Sequence, residues 1–255
     1  MRTFLIKMVL AWVFLALFYP FLFSQAVASG PTTLLVDGIR QYREGQYAAA
    51  AASFQKVAGT GIANGDLYYN IGNAYLKVGD LGRAVLWYQR AARMIPTDPD
   101  LQFNLAYAHS QVRDRAEEEG PSISRILFFW RQLMSRSTAQ WTAIFFNGLL
   151  WTILAIHLFM GRKSSNIATL ALMGITMIFV LTVFFNHYED HYVKKGVILP
   201  AQVSVRSGLS NSATELFILH AGSPVRVDRE TGGFVRIFFA KGKIGWLPKK
   251  DVGVI

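Results

Sequence analysis

Two stretches constrain this chain more than any other feature: Trp141–Met160, "WTAIFFNGLLWTILAIHLFM", and Ile167–Phe185, "IATLALMGITMIFVLTVFF". They are 20 and 19 residues long and neither holds a formally charged side chain. At about 1.5 Å of rise per residue, each helix spans about 30 Å, the thickness of a hydrocarbon core. The loop between them, "GRKSSN", carries Arg162 and Lys163, and a short basic loop is retained in the cytoplasm. Both flanks of this hairpin, 138–187, are therefore expected outside the cytoplasm. Trp141, Tyr188 and Tyr192 stand at its edges, as an interfacial aromatic belt does. Asn147 and His157 inside the first stretch are read as packing between the paired helices, with a polar pathway as the alternative.

The N-terminus agrees independently. Arg2 and Lys7 precede an apolar run, Met8–Phe23, and "AVA" places small residues before Ser29. This is the pattern of a signal peptide, 1–28, cut after Ala28. Residues 115–137 form a linker followed by "PSISRILFFWRQLMSRST", where Ile123, Ile126, Leu127, Trp130, Leu133 and Met134 recur at helical spacing. That spacing predicts an amphipathic helix, lying on a bilayer or packed on a neighbouring domain.

Composition narrows the function classes. Apolar residues make up 52% of the chain and charged residues 16%, which suits a membrane protein better than a soluble enzyme. Cysteine is absent, which excludes disulfides, thiolate nucleophiles and cysteine zinc sites. The net charge of +10 is concentrated beside the apolar stretches and in the tail, where ten basic residues face six acidic ones from Tyr188 onward. Such a distribution matches anionic lipid head groups rather than the dense basic stripe of a nucleic-acid binder. The lipid bilayer is thus an expected partner, and nucleic acid is not.

Between the N-terminal run and the hairpin the chain repeats itself. Gly38 and Gly72, Gly45 and Gly79, Tyr47 and Leu81, Ala50 and Ala84, and Phe54 and Tyr88 stand 34 residues apart. This period, with Gly, Ala and aromatic residues at these offsets, resembles the tetratricopeptide repeat. Gly72 and Ala84 allow two helices to approach, Tyr75 and Tyr88 fill the space between them, and Pro96 stops the second helix. In the first copy Gln41 replaces an aromatic residue and Ile62 stands where the family has proline. The expected domain is 29–114: repeats at about 31–64 and 65–98, then a capping helix, 99–114. The resemblance implies a concave groove for a peptide of another protein, lined by Leu35, Ile39, Tyr42, Tyr69, Asn70, Asn73, Leu76, Phe103, Asn104 and Tyr107. Asparagine amides donate to and accept from an extended backbone, while Tyr and Phe make apolar pockets. The alternative role for these asparagines is to hold the hairpins together. Leu35 and Asp100 occupy the positions where a carboxylate clamp would place lysines, so that subtype is rejected.

The tail alternates with period two: Val203 and Val205, Val225 and Val227, Val235 and Ile237. Short antiparallel strands follow, forming a small barrel or sandwich. "VSVRSG", "HAGSPVRV" and "KGKIGWLP" resemble bacterial SH3-like domains over 192–255, and some relatives bind cell-wall peptides. In such barrels Arg206, Gly245 and Trp246 are mostly structural.

The chain is not expected to be an enzyme. "HYEDH" sets His187 and His191 four residues apart, but its glutamate is one place late for the metalloprotease motif. Phosphate loops, nucleophile elbows and dinucleotide fingerprints are missing from the sequence, and no cofactor or metal is expected.

The full order is signal peptide, tetratricopeptide pair, two-helix transmembrane hairpin and all-β SH3-like barrel. This multidomain membrane protein resembles the BatE-type proteins of the Bacteroides aerotolerance (Bat) group. The resemblance implies an inner-membrane protein with both soluble domains periplasmic, acting as a scaffold for envelope proteins in stress or oxygen tolerance. It also implies partners with von Willebrand A domains and a MoxR-type ATPase. The alternative is a wall binder or sensor whose SH3-like domain contacts peptidoglycan.

Overall fold

The structure is a computed structural model that describes residues 30–114, 129–160, 167–192, 194–210, 212–240 and 242–255. The signal-peptide segment, residues 115–128 and the basic loop 161–166 lie outside the described residues. Two compact units emerge: one holds Thr138–Val183, and the other joins Gly30–Ser137 to Phe184–Ile255.

In the larger unit, five helices follow in order: α1 (Gly30–Arg43), α2 (Tyr47–Gly59), α3 (Gly65–Val78), α4 (Leu81–Ala92) and α5 (Pro99–Gln111). Each pair α1–α2 and α3–α4 closes by the same device. A Cβ on Gly38 would sit 2.5 Å from the ring of Phe54, and one on Gly72 would sit 2.5 Å from the ring of Tyr88. The helices therefore approach to a distance that only hydrogen at Cα permits. Between α3 and α4, Gly79 takes the left-handed region at φ 86°. There its N–H bonds to Leu76 O and that of Asp80 to Tyr75 O, ending α3. Asn64, Asp80 and Asp98 cap α3, α4 and α5 by accepting from backbone N–H groups three residues on. The α1–α3 layer buries Ala50, Phe54, Val57, Leu67 and Ile71 with Trp87.

The C-terminal part is one antiparallel sheet of β1 (Lys194–Ile198), β2 (Gln202–Arg206), β3 (Glu215–His220), β4 (Pro224–Thr231), β5 (Phe234–Phe239), β6 (Lys243–Pro248) and β7 (Val252–Val254). Its order is β3-β2-β6-β5-β4-β1-β7. The alternating residues fall inward as expected: Val203, Val205, Val225, Val227, Val235 and Ile237 share one core with Leu219, Leu247 and Val252. The expected barrel is corrected, because β3 and β7 remain the two ends of the sheet and do not pair. A helix stands where barrel closure would need a strand. Leu86 of α4 meets Gly253 of β7, with a Cβ there only 2.4 Å from Leu86 Cδ2, and Arg90 Nη2 donates to Val254 O at 2.6 Å.

Helices and sheet are thus continuous rather than separate modules. Val197 of β1 is buried in the same core as Ala84, Val85, Leu86, Leu101 and Val112. Gly82 of α4 is so close to the sheet that a Cβ would lie 2.3 Å from Leu199 O. At the far end of α5, Asp114 accepts from His220 N at 2.6 Å and from Ser223 Oγ at 2.9 Å. Its carboxylate also lies 3.1 Å from His220 Nδ1. Burial opposes the charge of Asp114, but these donors outweigh it and hold the carboxyl below its ordinary value.

The smaller unit consists of α6 (Arg136–Met160) and α7 (Ile167–Tyr192) over their apolar lengths, and both are long and apolar enough to cross a membrane. Phe146 and Phe179 stack at 5.6 Å between them. Thr176 and Thr182 turn their hydroxyls back onto Leu172 O and Ile178 O, each at 2.8 Å. Their polarity is thereby absorbed within the helix. Asn147 is exposed, and His157 Nδ1 is buried with no hydrogen-bond partner among the described residues. The helix-to-helix hydrogen bond that the sequence allows at His157 Nδ1 is therefore not made there. Phe129–Gln132 forms a single 3-10 turn before α6 rather than the α-helical turn expected at that point.

Candidate peptide-binding groove

Helices α1, α3 and α5 present one side to a cavity of about 850 Å³. Seven of the ten sequence-predicted residues line it: Tyr42, Tyr69, Asn73, Leu76, Phe103, Asn104 and Tyr107. The other three do not. Leu35 packs against the α1–α3 core, while Ile39 is exposed and Asn70 half-buried outside the cavity. Lys77 and Gln111 join the lining without having been expected. Each lies four residues beyond a predicted member, Asn73 and Tyr107, so helical periodicity alone could have found them.

The floor of the groove is a hydrogen-bond network. Tyr88 OH donates to Asn73 Oδ1 at 2.7 Å. Asn104 Nδ2 donates to the same oxygen at 3.0 Å and to Tyr69 OH at 2.9 Å. Burial, then the neighbouring Tyr69 and Tyr42, push the Tyr88 phenol far above its ordinary value, so it remains a donor at any physiological pH. Two donors thus fix the Asn73 amide with its oxygen inward. This answers in part the choice left open by the sequence: both asparagines do tie the hairpins together. It does not exhaust them, because an amide has more hydrogen-bonding capacity than the network consumes. Among the described residues Asn73 Nδ2 and Asn104 Oδ1 have no partner. What they offer is two N–H donors and an acceptor, the complement of an extended peptide's C=O and N–H.

The walls are apolar and open to solvent. Phe103 is 73% exposed and Tyr107 51% exposed, both on α5, which caps the stack. Large aromatic surface left in water at the mouth of a concave site is what a partner's side chains cover.

Histidine chemistry is not assembled here. Among the described residues no three His, Asp or Glu side chains gather as a metal-binding group. His187 lies on α7, and the side chains of Asp190 and His191 lie outside the described residues. In the sheet, Arg206 donates to Ala213 O at 2.8 Å and closes the β2–β3 turn. Trp246 does not fill the core. It faces outward opposite Arg236, whose guanidinium lies 6.0 Å from its ring.

Residues 65–98, which make up α3 and α4 with the turn that follows, match the family described as Tetratricopeptide repeat. No curated protein matches the chain. The repeat points to protein–protein interaction as the role of this region.

Proposed function

We propose that the chain is a non-catalytic scaffold, anchored in a bacterial inner membrane by α6 and α7, whose groove holds extended segments of other envelope proteins. The observation that carries this reading is the unspent donor and acceptor of Asn73 and Asn104 between exposed Phe103 and Tyr107. The packing of both hairpin flanks into one unit supports an even number of crossings, since a single folded body occupies one side of a bilayer. The basic loop with Arg162 and Lys163 supports the periplasm as that side. The resemblance to Bat-type proteins supplies the partner class: proteins with von Willebrand A domains and a MoxR-type ATPase system, in stress or oxygen tolerance.

The test is capture from solubilised envelopes by the full chain against its Phe103→Ala/Tyr107→Ala variant. Both side chains are solvated, so the fold survives their loss. We expect specific partners to weaken about tenfold or more, as for aromatic anchors at interface centres. Equal capture by both proteins would end the groove reading. A periplasm-active reporter fused at residue 255 that stayed silent would end the topology.

A second reading is supported by the outer sheet face. There Arg226 lies 5.0 Å from the ring of Phe238, and Arg236 lies 6.0 Å from those of Phe238 and Trp246. A cationic, aromatic face suits peptidoglycan stems, which carry carboxylates. Co-sedimentation of the full chain with sacculi, lost in Trp246→Ala, is the outcome that reading requires.

A further inference from the structure

Away from the groove, the larger unit gathers cations at another cavity, of about 430 Å³. Arg90 and Arg93 from the end of α4 line it together with Ser135, Arg136 and Ser137. Tyr68 and Met94 provide an apolar side. Arg131 and Lys195 stand nearby, both paired with Glu189, and Glu189 acts also on Arg93 and Arg136. One carboxylate therefore serves a neighbourhood of five cations. No Asp or Glu lines the cavity itself among the described residues.

The site is held in place rather than loosely charged. Arg90 lies 4.6 Å from the Trp87 ring and donates to Val254 O, which fixes its guanidinium plane. Burial lowers the pKa of both Arg90 and Arg93 from the ordinary value, and Arg93 adds to the effect on Arg90. Crowded, partly desolvated guanidinium groups gain from an anion that accepts several hydrogen bonds at once.

We propose that this cavity binds a phosphate-bearing group, supplied by an anionic lipid head group or by free phosphate. Tetrahedral oxyanions match paired guanidinium forks and serine hydroxyls, and the apolar side leaves room for a glycerol stem. Arg136 and Ser137 are the first residues of α6, whose later residues form the apolar stretch. The cavity thus adjoins the chain segment where a span would enter the head-group layer. The lipid source rests on the membrane reading above, while the phosphate chemistry does not.

The experiment uses the full chain in neutral detergent, titrated calorimetrically with dihexanoyl phosphatidylglycerol, dihexanoyl phosphatidylcholine or inorganic phosphate. We expect phosphatidylglycerol or inorganic phosphate to bind more tightly than phosphatidylcholine. Arg93→Gln/Arg136→Gln should weaken that binding about tenfold or more, the worth of one or two charge-assisted hydrogen bonds. Arg43→Gln/Arg229→Gln, which removes equal charge elsewhere, should change it less than about twofold, as surface charges do. Binding of phosphatidylglycerol alone assigns a head group, and equal binding of inorganic phosphate assigns the free anion. If neither binds the wild type, or both variants weaken alike, the proposal is overturned. Should the glutamine variant lose its circular dichroism, Arg93→Lys/Arg136→Lys replaces it. That pair keeps the charge and loses the forks, and undiminished binding would again overturn the proposal. Loss of partner capture at the groove would leave this result untouched.

Discussion

At the scale of single residues, the helical repeats depend on places where no atom can be added. Tyr88 is fully buried and its ring already occupies the position of a Gly72 methyl group. Gly72→Ala should therefore destabilise the larger unit by about 1–3 kcal/mol, the range for overpacking, as read by denaturant unfolding of the full chain. Gly59 stands at the end of α2, and a Cβ added there would meet nothing within 4 Å. Gly59→Ala should leave stability unchanged or raise it by a few tenths of a kcal/mol. Equal effects from the two substitutions would show that the Gly72–Tyr88 contact is not what limits the hairpin. Asn73→Ala belongs to the same scale. It strands the Tyr88 hydroxyl and the Asn104 amide, and should cost about 1–3 kcal/mol before any partner is considered. For that reason Phe103 and Tyr107, not the asparagines, are the clean probes of binding.

At the scale of elements, α4 has two jobs. One face carries Ala84, Tyr88 and Ala91 into the helical core, while Gly82 and Leu86 meet the sheet. The second job explains a glycine that the repeat pattern does not require. A methyl group at Gly82 would strike the Leu199 backbone, which cannot rotate aside as a side chain does. Gly82→Ala should therefore open the helix–sheet junction at a cost of about 1–3 kcal/mol. Amide exchange should speed up across β1 and β7 while α3 and α5 keep their protection. Uniform loss of protection through all five helices would contradict this division of roles.

For the whole molecule, the junction is fastened by a titratable bond as well as by packing. The Asp114 carboxyl is held below its ordinary value, so the folded state favours its ionised form. Its contribution is fully present above the ordinary carboxylate range and is lost as pH falls through the lowered pKa. Asp114→Asn should accordingly be less stable than wild type at neutral pH, with the gap closing in acid. Thermal unfolding measured against pH checks this, and a gap that stayed constant into acid would remove Asp114 from the fastening.

Much of this was legible in one dimension because it depends on periodicity. The 34-residue spacing of Gly38 and Gly72 and of Phe54 and Tyr88 records a contact between neighbours in sequence. The uncharged runs record a length, and the alternation of Val203, Val205, Val235 and Ile237 records which side of a strand is dry. Seven groove residues followed from the same helical repeat. Other features join parts of the chain that no period connects. Arg90 reaches Val254 across 164 residues, and Asp114 reaches His220 across 106. Sequence spacing carries no signal for such pairs, because the intervening hairpin sets their separation and packing alone sets their distance. So the kinds of element were determined by the amino-acid order, whereas the open sheet, the shared core through Val197 and the arginine-lined cavity were decided only when α4 and β1 packed together.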